Sequence, residues 1–506
     1  MMQESAVRAR GIASFKGALL LLLVLLVVSS IHAQGSAGGQ SAIGEGTASA
    51  NEADSMGEAV DAYLRGQMKE RRIPGMQVAV VRQGRVLLLR SYGVANLQTP
   101  VPVDEATVFS INSITKAFTG IEVMKLVQRG ELRLDSPVSA YLDGLPEAWR
   151  RVSIRQLATH MSGLPDINRA PGARSVDVSG ESVWDWVMAQ PVRFVPGERF
   201  DYCQTNYTLL QRVINKLKGR APDEPVATPQ FEAVGMASTR YGDSTELIPN
   251  GAAGYGHTYA KPGDTGVLRP VFELFRPISR ASSGMYSTAK DMARWMIAIQ
   301  QEHILNAESL QTMWTPASFN DGQPGLWGIG WEVLGTADHP IVGMTGGGRS
   351  AFFLYPKDDL GIVILTNLAG SSPEDIMDRV AAIYGVHLGG VAALRAEMER
   401  QAFRDGPAIA AALMTQDPTL VLSELEMNDW GYRLLASQPR KALEILKIVP
   451  ILYPKSGNAY DSLGEAYAAV EDRDRAIASY RKSLELDPKN TNAARWLERL
   501  GAGPRP

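Results

Sequence analysis

The chain has 506 residues and a single cysteine, Cys203. No intrachain disulfide can form, so the fold must stand on packed apolar cores. A lone Cys203 is also a poor basis for thiol catalysis, and a small buried residue is its expected role. The six histidines, His32, His160, His257, His303, His339 and His387, are scattered, with no pairs at zinc-ligand spacing. No metal and no cofactor are expected. The formal net charge is −3 and no long basic run occurs, which leaves nucleic-acid binding without electrostatic support. The run Gly346-Gly347-Gly348 does not have the pattern of a phosphate-cradling loop.

The N-terminus carries an export pattern. Arg8, Arg10 and Lys16 precede an apolar run from Ala18 to Val28, followed by small and polar residues to Ala33. That run is short of the roughly 20 apolar residues of a membrane span. A cleaved signal peptide over 1–33 is expected, with a periplasmic or secreted product. Contact with a membrane would follow only if the segment stayed uncleaved. Residues 34–53 are rich in Gly, Ser and Ala and read as a flexible linker.

With 45% hydrophobic and 21% charged residues, the remainder is long and apolar enough for two or three globular units. Asp54 to Arg72 reads as an amphipathic helix. Met76–Val81 and Val86–Ser91 flank Gln83-Gly84 as a hairpin. Asn112 is the expected cap of an apolar helix holding Ser113, Ala117, Ile121 and Met124, which Gly130 ends. The middle, to about Pro277, is rich in Pro and Gly, with short helices. Strand signals return at Trp327–Val333, Ser350–Tyr355 and Gly361–Asn367, with Lys357-Asp358-Asp359 as a turn. A helix follows, with Ser372 as its cap and Pro373 in its first turn. Strands at both ends with helices between and outside predict an α/β (α+β) unit built on an antiparallel sheet, over 54–385.

Residues 386–422 are a connector. From 423 to 501 the chain repeats itself. Gly431 and Gly464 are 33 apart, and Pro454 and Pro488 are 34 apart. Tyr460, Leu463, Gly464, Tyr467, Ala476, Tyr480 and Pro488 fall at tetratricopeptide spacing. Two helical hairpins and a last helix, Thr491 to Leu500, form an all-α array. Two repeats are too few for independent stability, so the array should pack on the catalytic unit or on a protein partner.

Ser113-Ile114-Thr115-Lys116 carries the chemistry. Residues three apart share a helix face, so the amine can reach the hydroxyl. A lysine kept neutral by burial can take the serine proton and activate it. Ser287-Thr288-Ala289-Lys290 and Ser479-Tyr480-Arg481-Lys482 have the same spacing. The first has a bland account, since Thr288 and Asp291 form a capping box; the second lies in a repeat helix. Tyr202, after Pro196-Gly197 on a loop leading into a helix at Leu209, is the candidate second proton handler. Backbone N–H groups of Ser113 and of the strand near Met344-Thr345-Gly346-Gly347-Gly348 are candidates for an oxyanion hole.

These residues, together with Leu157-Ala158-Thr159-His160-Met161-Ser162-Gly163-Leu164-Pro165 and Ser283-Gly284-Met285-Tyr286-Ser287-Thr288, carry a family resemblance. The segment from about Asp54 to Tyr384 resembles the serine β-lactamase and penicillin-binding-protein-like hydrolase superfamily. It is most similar to the class C-like branch of esterases, D-aminopeptidases and D,D-peptidases. The resemblance implies a sheet flanked by helices plus a helical subdomain. It implies Ser113 as the acylated nucleophile, Lys116 as its base and Tyr202 as the second acid/base group. It further implies Gly347 as an oxyanion donor, Gln204, Thr345, Gly346 and Met344 in the substrate-binding motifs, and a structural His160.

Two positions depart from the pattern. Gln204 stands where the family has Asn, and Met344 stands where it usually has Lys or His. Methionine cannot grip a substrate carboxylate. An esterase-like or amidase-like hydrolase acting on a small molecule or peptide is therefore expected, rather than an efficient β-lactamase. The alternative is a catalytically weak binding or sensory protein on the same scaffold, using the repeats for protein partners. A scaffold for protein assembly is weaker, since the array is under a fifth of the chain.

Overall fold

The computed structural model describes residues 50–503. The expected signal segment, and the linker up to residue 49, lie outside that range. The linker's last residues do not continue as a tether: helix α1 runs Ala50–Arg71.

Among the described residues the frame is a seven-stranded antiparallel sheet. Its strands are β1 (Gly75–Arg82), β2 (Arg85–Asn96), β3 (Val101–Pro102), β4 (Glu332–Gly335), β5 (Pro340–Gly346), β6 (Ser350–Tyr355) and β7 (Leu360–Thr366). Their spatial order is β3-β2-β1-β7-β6-β5-β4. The first hairpin thus pairs with the last strands, Val78 facing Ile364. Both faces are covered, which is why the central strands are continuous apolar runs. Phe352, Leu354, Val363 and Leu365 enter one core, and Phe353, Tyr355, Ile362 and Ile364 the other. The first core also holds α2 (Thr115–Gln128), α3 (Gln204–Leu217) and α4 (Ala289–Gln300), the last lying directly on β1 and β7. The second is roofed by α1 and α5 (Glu374–Ile383).

Several local expectations shift. Asn112 is not a helix cap. It opens a 3-10 turn, Asn112–Ile114, at φ +49°, and its amide donates to Ser110 Oγ at 3.1 Å. The strand expected from Trp327 begins only at Glu332; Trp327 meets it in a single bridge. The helix after Ser372 begins at Glu374, with Ser372 at φ +47° accepting the Asp375 N–H through its carbonyl. Helix α3 begins at Gln204, directly after Tyr202-Cys203 rather than at Leu209. Thr288 does cap α4, but Asp291 turns away to Ser238 N–H and Thr239 Oγ1, so only half of a capping box exists.

After the sheet come α6 (Gly390–Arg400), α7 (Gly406–Gln416), α8 (Glu424–Leu435), α9 (Pro439–Leu446), α10 (Gly457–Ala469), α11 (Arg473–Leu486) and α12 (Thr491–Arg499). Gly464 faces the Tyr480 ring so closely that a Cβ would sit 2.7 Å from it. This C-terminal helical region docks on the sheet unit through ion pairs, two of them on buried carboxylates. Arg433 on α8 reaches Asp375 at 2.7 Å, Arg395 pairs with Asp378, and Lys441 meets Glu70 at 2.6 Å. No helix among the described residues is long and apolar enough to cross a membrane.

Candidate active site

The site is built where α2 begins. Eleven of its 14 residues are buried, so the helix runs through the core rather than over it. Gly120 lets it approach the chain at Ile329, whose carbonyl would lie 2.2 Å from a Cβ there. A lysine in the first turn of such a helix is carried into the core with it.

Lys116 is fully buried. Its Nζ lies 3.4 Å from Ser113 Oγ and donates to the Ser282 carbonyl at 2.9 Å. Burial pushes its pKa down to about 7, against a smaller opposing pull from the Asp166 carboxylate. Near pH 7 a large fraction of Lys116 is therefore the free amine, able to accept the Ser113 proton.

Tyr202 closes the other side. The Lys116 nitrogen sits 4.6 Å from the centre of its ring, and the side chains of Ser113 and Gln204 act on its phenol. Burial raises the phenol's pKa, and those two contacts pull it back only in part. Tyr202 thus keeps its proton at neutral pH, while Lys116 is in part the free amine. Two groups with pKa values driven apart divide the acid and base roles between them.

His160 lies beneath Tyr202, the ring centres 4.4 Å apart. Its Nδ1 accepts the Cys203 N–H at 3.1 Å, so the proton rests on Nε2, which is buried without a partner. Burial, then the Lys116 charge, holds the ring neutral. It braces the tyrosine loop and does not reach the serine as a base. Cys203 is buried, its Sγ 3.6 Å from the Leu164 and Pro165 carbonyls.

The candidate oxyanion donors lie at the end of β5 and in the 3-10 turn. Ser113 N–H precedes the first bond inside that turn, Ile114 N–H to Ile111 O, and so has no partner within it. Gly346 presses on this backbone: a Cβ would lie 2.0 Å from Ile111 O and 3.3 Å from Ser113 N. Gly347 follows at φ +58°, against the Asn112 amide. Only glycine fits both positions, and together they bring the strand end within reach of the nucleophile.

The remaining motif residues divide. Gln204 is the first residue of α3, its Oε1 buried without a partner. Thr345 Oγ1 donates to Glu332 Oε1 at 3.0 Å. Met344 is 1% exposed, within the hydrophobic core, and presents no polar group. Sequence reasoning missed the Ser282 carbonyl, Asp166 and Glu332. Asp166 accepts N–H bonds from Asn168 at 3.0 Å and Gln204 at 3.3 Å. Nothing in the spacing flags Asp166 or Ser282. Glu332 left one trace, a carboxylate inside the apolar stretch Trp331-Glu332-Val333. Among the described residues no cluster of His, Cys, Asp and Glu is arranged to hold a metal.

A serine, a buried lysine and a tyrosine thus meet at the edge of an antiparallel sheet, in a fold of the β-lactamase and penicillin-binding-protein type. The chain belongs to the Beta-lactamase family, whose profile matches residues 60–386. It is similar to Protein flp of Staphylococcus aureus, 27% identical over 320 residues, covering 61% of this chain and 62% of that protein. It is likewise 27% identical over 284 residues to Penicillin-binding protein 4* of Bacillus subtilis, covering 53% of this chain and 62% of that protein. The chain thus spans about three fifths of the length of these relatives. Among solved structures, the octameric penicillin-binding protein homologue from Pyrococcus abyssi has a TM-score of 0.54 at 26% identity. The match covers 65% of this chain and 77% of that one. The fold is also shared with D-amino acid amidase from Ochrobactrum anthropi SV3, TM-score 0.56 at 24% identity, covering 65% and 99%.

Proposed function

We propose that the protein is an exported serine hydrolase that cleaves an ester or amide through a Ser113 acyl-enzyme. One observation carries the proposal: a fully buried Lys116, with Nζ 3.4 Å from Ser113 Oγ and a pKa near 7. In this reading neutral Lys116 takes the Ser113 proton while Oγ attacks the substrate carbonyl. The negative oxygen is met by the N–H groups of Ser113 and Gly347, each worth roughly 3 kcal/mol. The proton passes through Tyr202 to the leaving group. Water then attacks the acyl-enzyme, its proton returns through Lys116 or Tyr202, and the acid departs. Gln204 offers its unpaired Oε1 to a substrate N–H.

The buried Met344 weighs against grip on a terminal carboxylate, and so against efficient penicillin turnover. The export pattern of residues 1–33 supports a periplasmic or secreted location, and the repeat spacing supports tetratricopeptide-like hairpins with a protein partner. A neutral p-nitrophenyl ester, quenched during turnover and followed by intact mass, tests the proposal. Turnover with an acyl adduct at Ser113, absent in Ser113→Ala, is expected. No adduct and no turnover would favour the binding-protein reading, to which Met344 also lends itself.

A further inference from the structure

We infer that the cleft selects substrates carrying a positive charge beside the scissile carbonyl, with Glu332 as the specificity residue. This rests on the hydrolase reading above.

The placement begins with the edge of β5. Strand β4 pairs with it only through Pro340–Gly343, and Glu332 is the last partner, opposite Gly343. From Met344 onward that edge is uncovered. Glu332 folds its side chain over the gap: Oε1 accepts from Thr345 N–H at 3.3 Å and from Thr345 Oγ1 at 3.0 Å. Gly347, the oxyanion donor, lies two residues further along the same strand end. Thr345, Gly347 and Glu332 are half-buried, each keeping part of its surface in solvent at the rim of the site.

The chemistry of that edge is one-sided. The two Thr345 donors that would greet an anionic group are already held by Glu332. Met344 beside them brings no cation. Through Thr345 the carboxylate is tied to the strand end that leads, two residues on, into Gly347. The charged neighbours that press on it most are Glu374 on α5 and Asp429 on α8, both acidic; the Arg433 guanidinium on α8 pairs with those two and makes no ion pair with Glu332. An uncompensated carboxylate beside an oxyanion hole repels a second anion and attracts a cation. Burial, more than those neighbours, raises its pKa to about 7. The attraction therefore grows as pH rises through 7, and a bound cation holds the group ionised.

Three p-nitrophenyl esters of similar shape test this on the full chain: trimethylammonio-butyryl, dimethylhexanoyl as its neutral isostere, and glutaryl. Each kcat/KM is divided by the ester's spontaneous hydrolysis rate. The cationic ester is expected to exceed the neutral one by roughly tenfold, the effect of one partly desolvated ion pair, with the anionic ester last. The cationic-to-neutral ratio should rise with pH through about 7. Titration of Lys116 cancels in that ratio, because all three esters share one nucleophile. Glu332→Gln should bring the ratio near one and flatten its pH profile, while Glu332→Asp should keep the preference. Equal rates for the three esters, a faster anionic ester, or a preference that survives in Glu332→Gln would overturn the inference. The wild-type series decides the matter even if the variant fails to fold. If none of the esters is turned over, the hydrolase reading itself fails, and this inference with it.

Discussion

Lys116 has no exposed surface, whereas Lys290, in the second Ser-x-x-Lys pattern of the same chain, has 47% of its side chain in solvent and pairs with Glu105 at 2.9 Å. Ser113 Oγ lies 3.4 Å from the Lys116 amine beside the strand edge. Ser287 is sealed in the core, shared with Thr239 Oγ1 at 2.8 Å. The third match, Ser479 and Lys482, spends its serine on the Arg475 carbonyl at 2.9 Å and its lysine on Glu485 at 2.6 Å. Spacing sets which groups can meet; burial sets whether the amine is a base at neutral pH.

Substitutions sharpen this contrast, the largest effect first. Ser113→Ala should abolish the acyl adduct seen by intact mass, because no other serine in the pattern has a desolvated amine. Lys116→Arg keeps a cation where a free amine is needed. It should slow acylation about a thousandfold in stopped-flow assays with an activated ester. Tyr202→Phe should cost about a hundredfold on amides and less on p-nitrophenyl esters, whose leaving group needs no proton. An equal loss on both would remove the phenol from its assigned role.

The comparison also carries a sign for stability. The folded pKa of Lys116, about 7, lies below its ordinary 10.5, so between those values the unfolded chain binds the extra proton. That lysine's contribution to stability should therefore rise with pH from about 7 towards 10.5. Urea unfolding of the wild type and Lys116→Met at several pH values checks this, since the methionine variant should lose that component. The smallest effects belong to the bland match. Ser287→Ala should cost about 1 kcal/mol of stability for its lost hydrogen bond and leave kcat/KM within about twofold. Lys290→Ala should change neither.

Much of the frame was legible because periodicity reports burial. The Gln83-Gly84 hairpin and the apolar runs of β6 and β7 follow from short-range pattern. The candidate site was legible as a set of motifs, since Ser113, Lys116, Tyr202, Gly346 and Gly347 sit at fixed local spacings. What escaped depends on pairs far apart in sequence. The Ser282 carbonyl reaches Lys116 across 166 positions, and Arg433 reaches Asp375 across 58. Glu332 and Thr345 are only 13 apart, yet the strand was expected to begin at Trp327. Its late start leaves Glu332 as the last residue paired to β5, at the rim of the site. Asn112 misled because asparagine favours both caps and left-handed backbone, and here it took the second.

The most direct measurement of the central claim is the rate of fluorophosphonate labelling against pH, with the labelled peptide identified by mass. A single adduct on Ser113, forming faster as pH rises with a midpoint near 7, is the predicted result. Labelling at Ser287 or Ser479, or labelling of Ser113 at a rate indifferent to pH from 5 to 9 (about four orders of magnitude in proton activity), would contradict it.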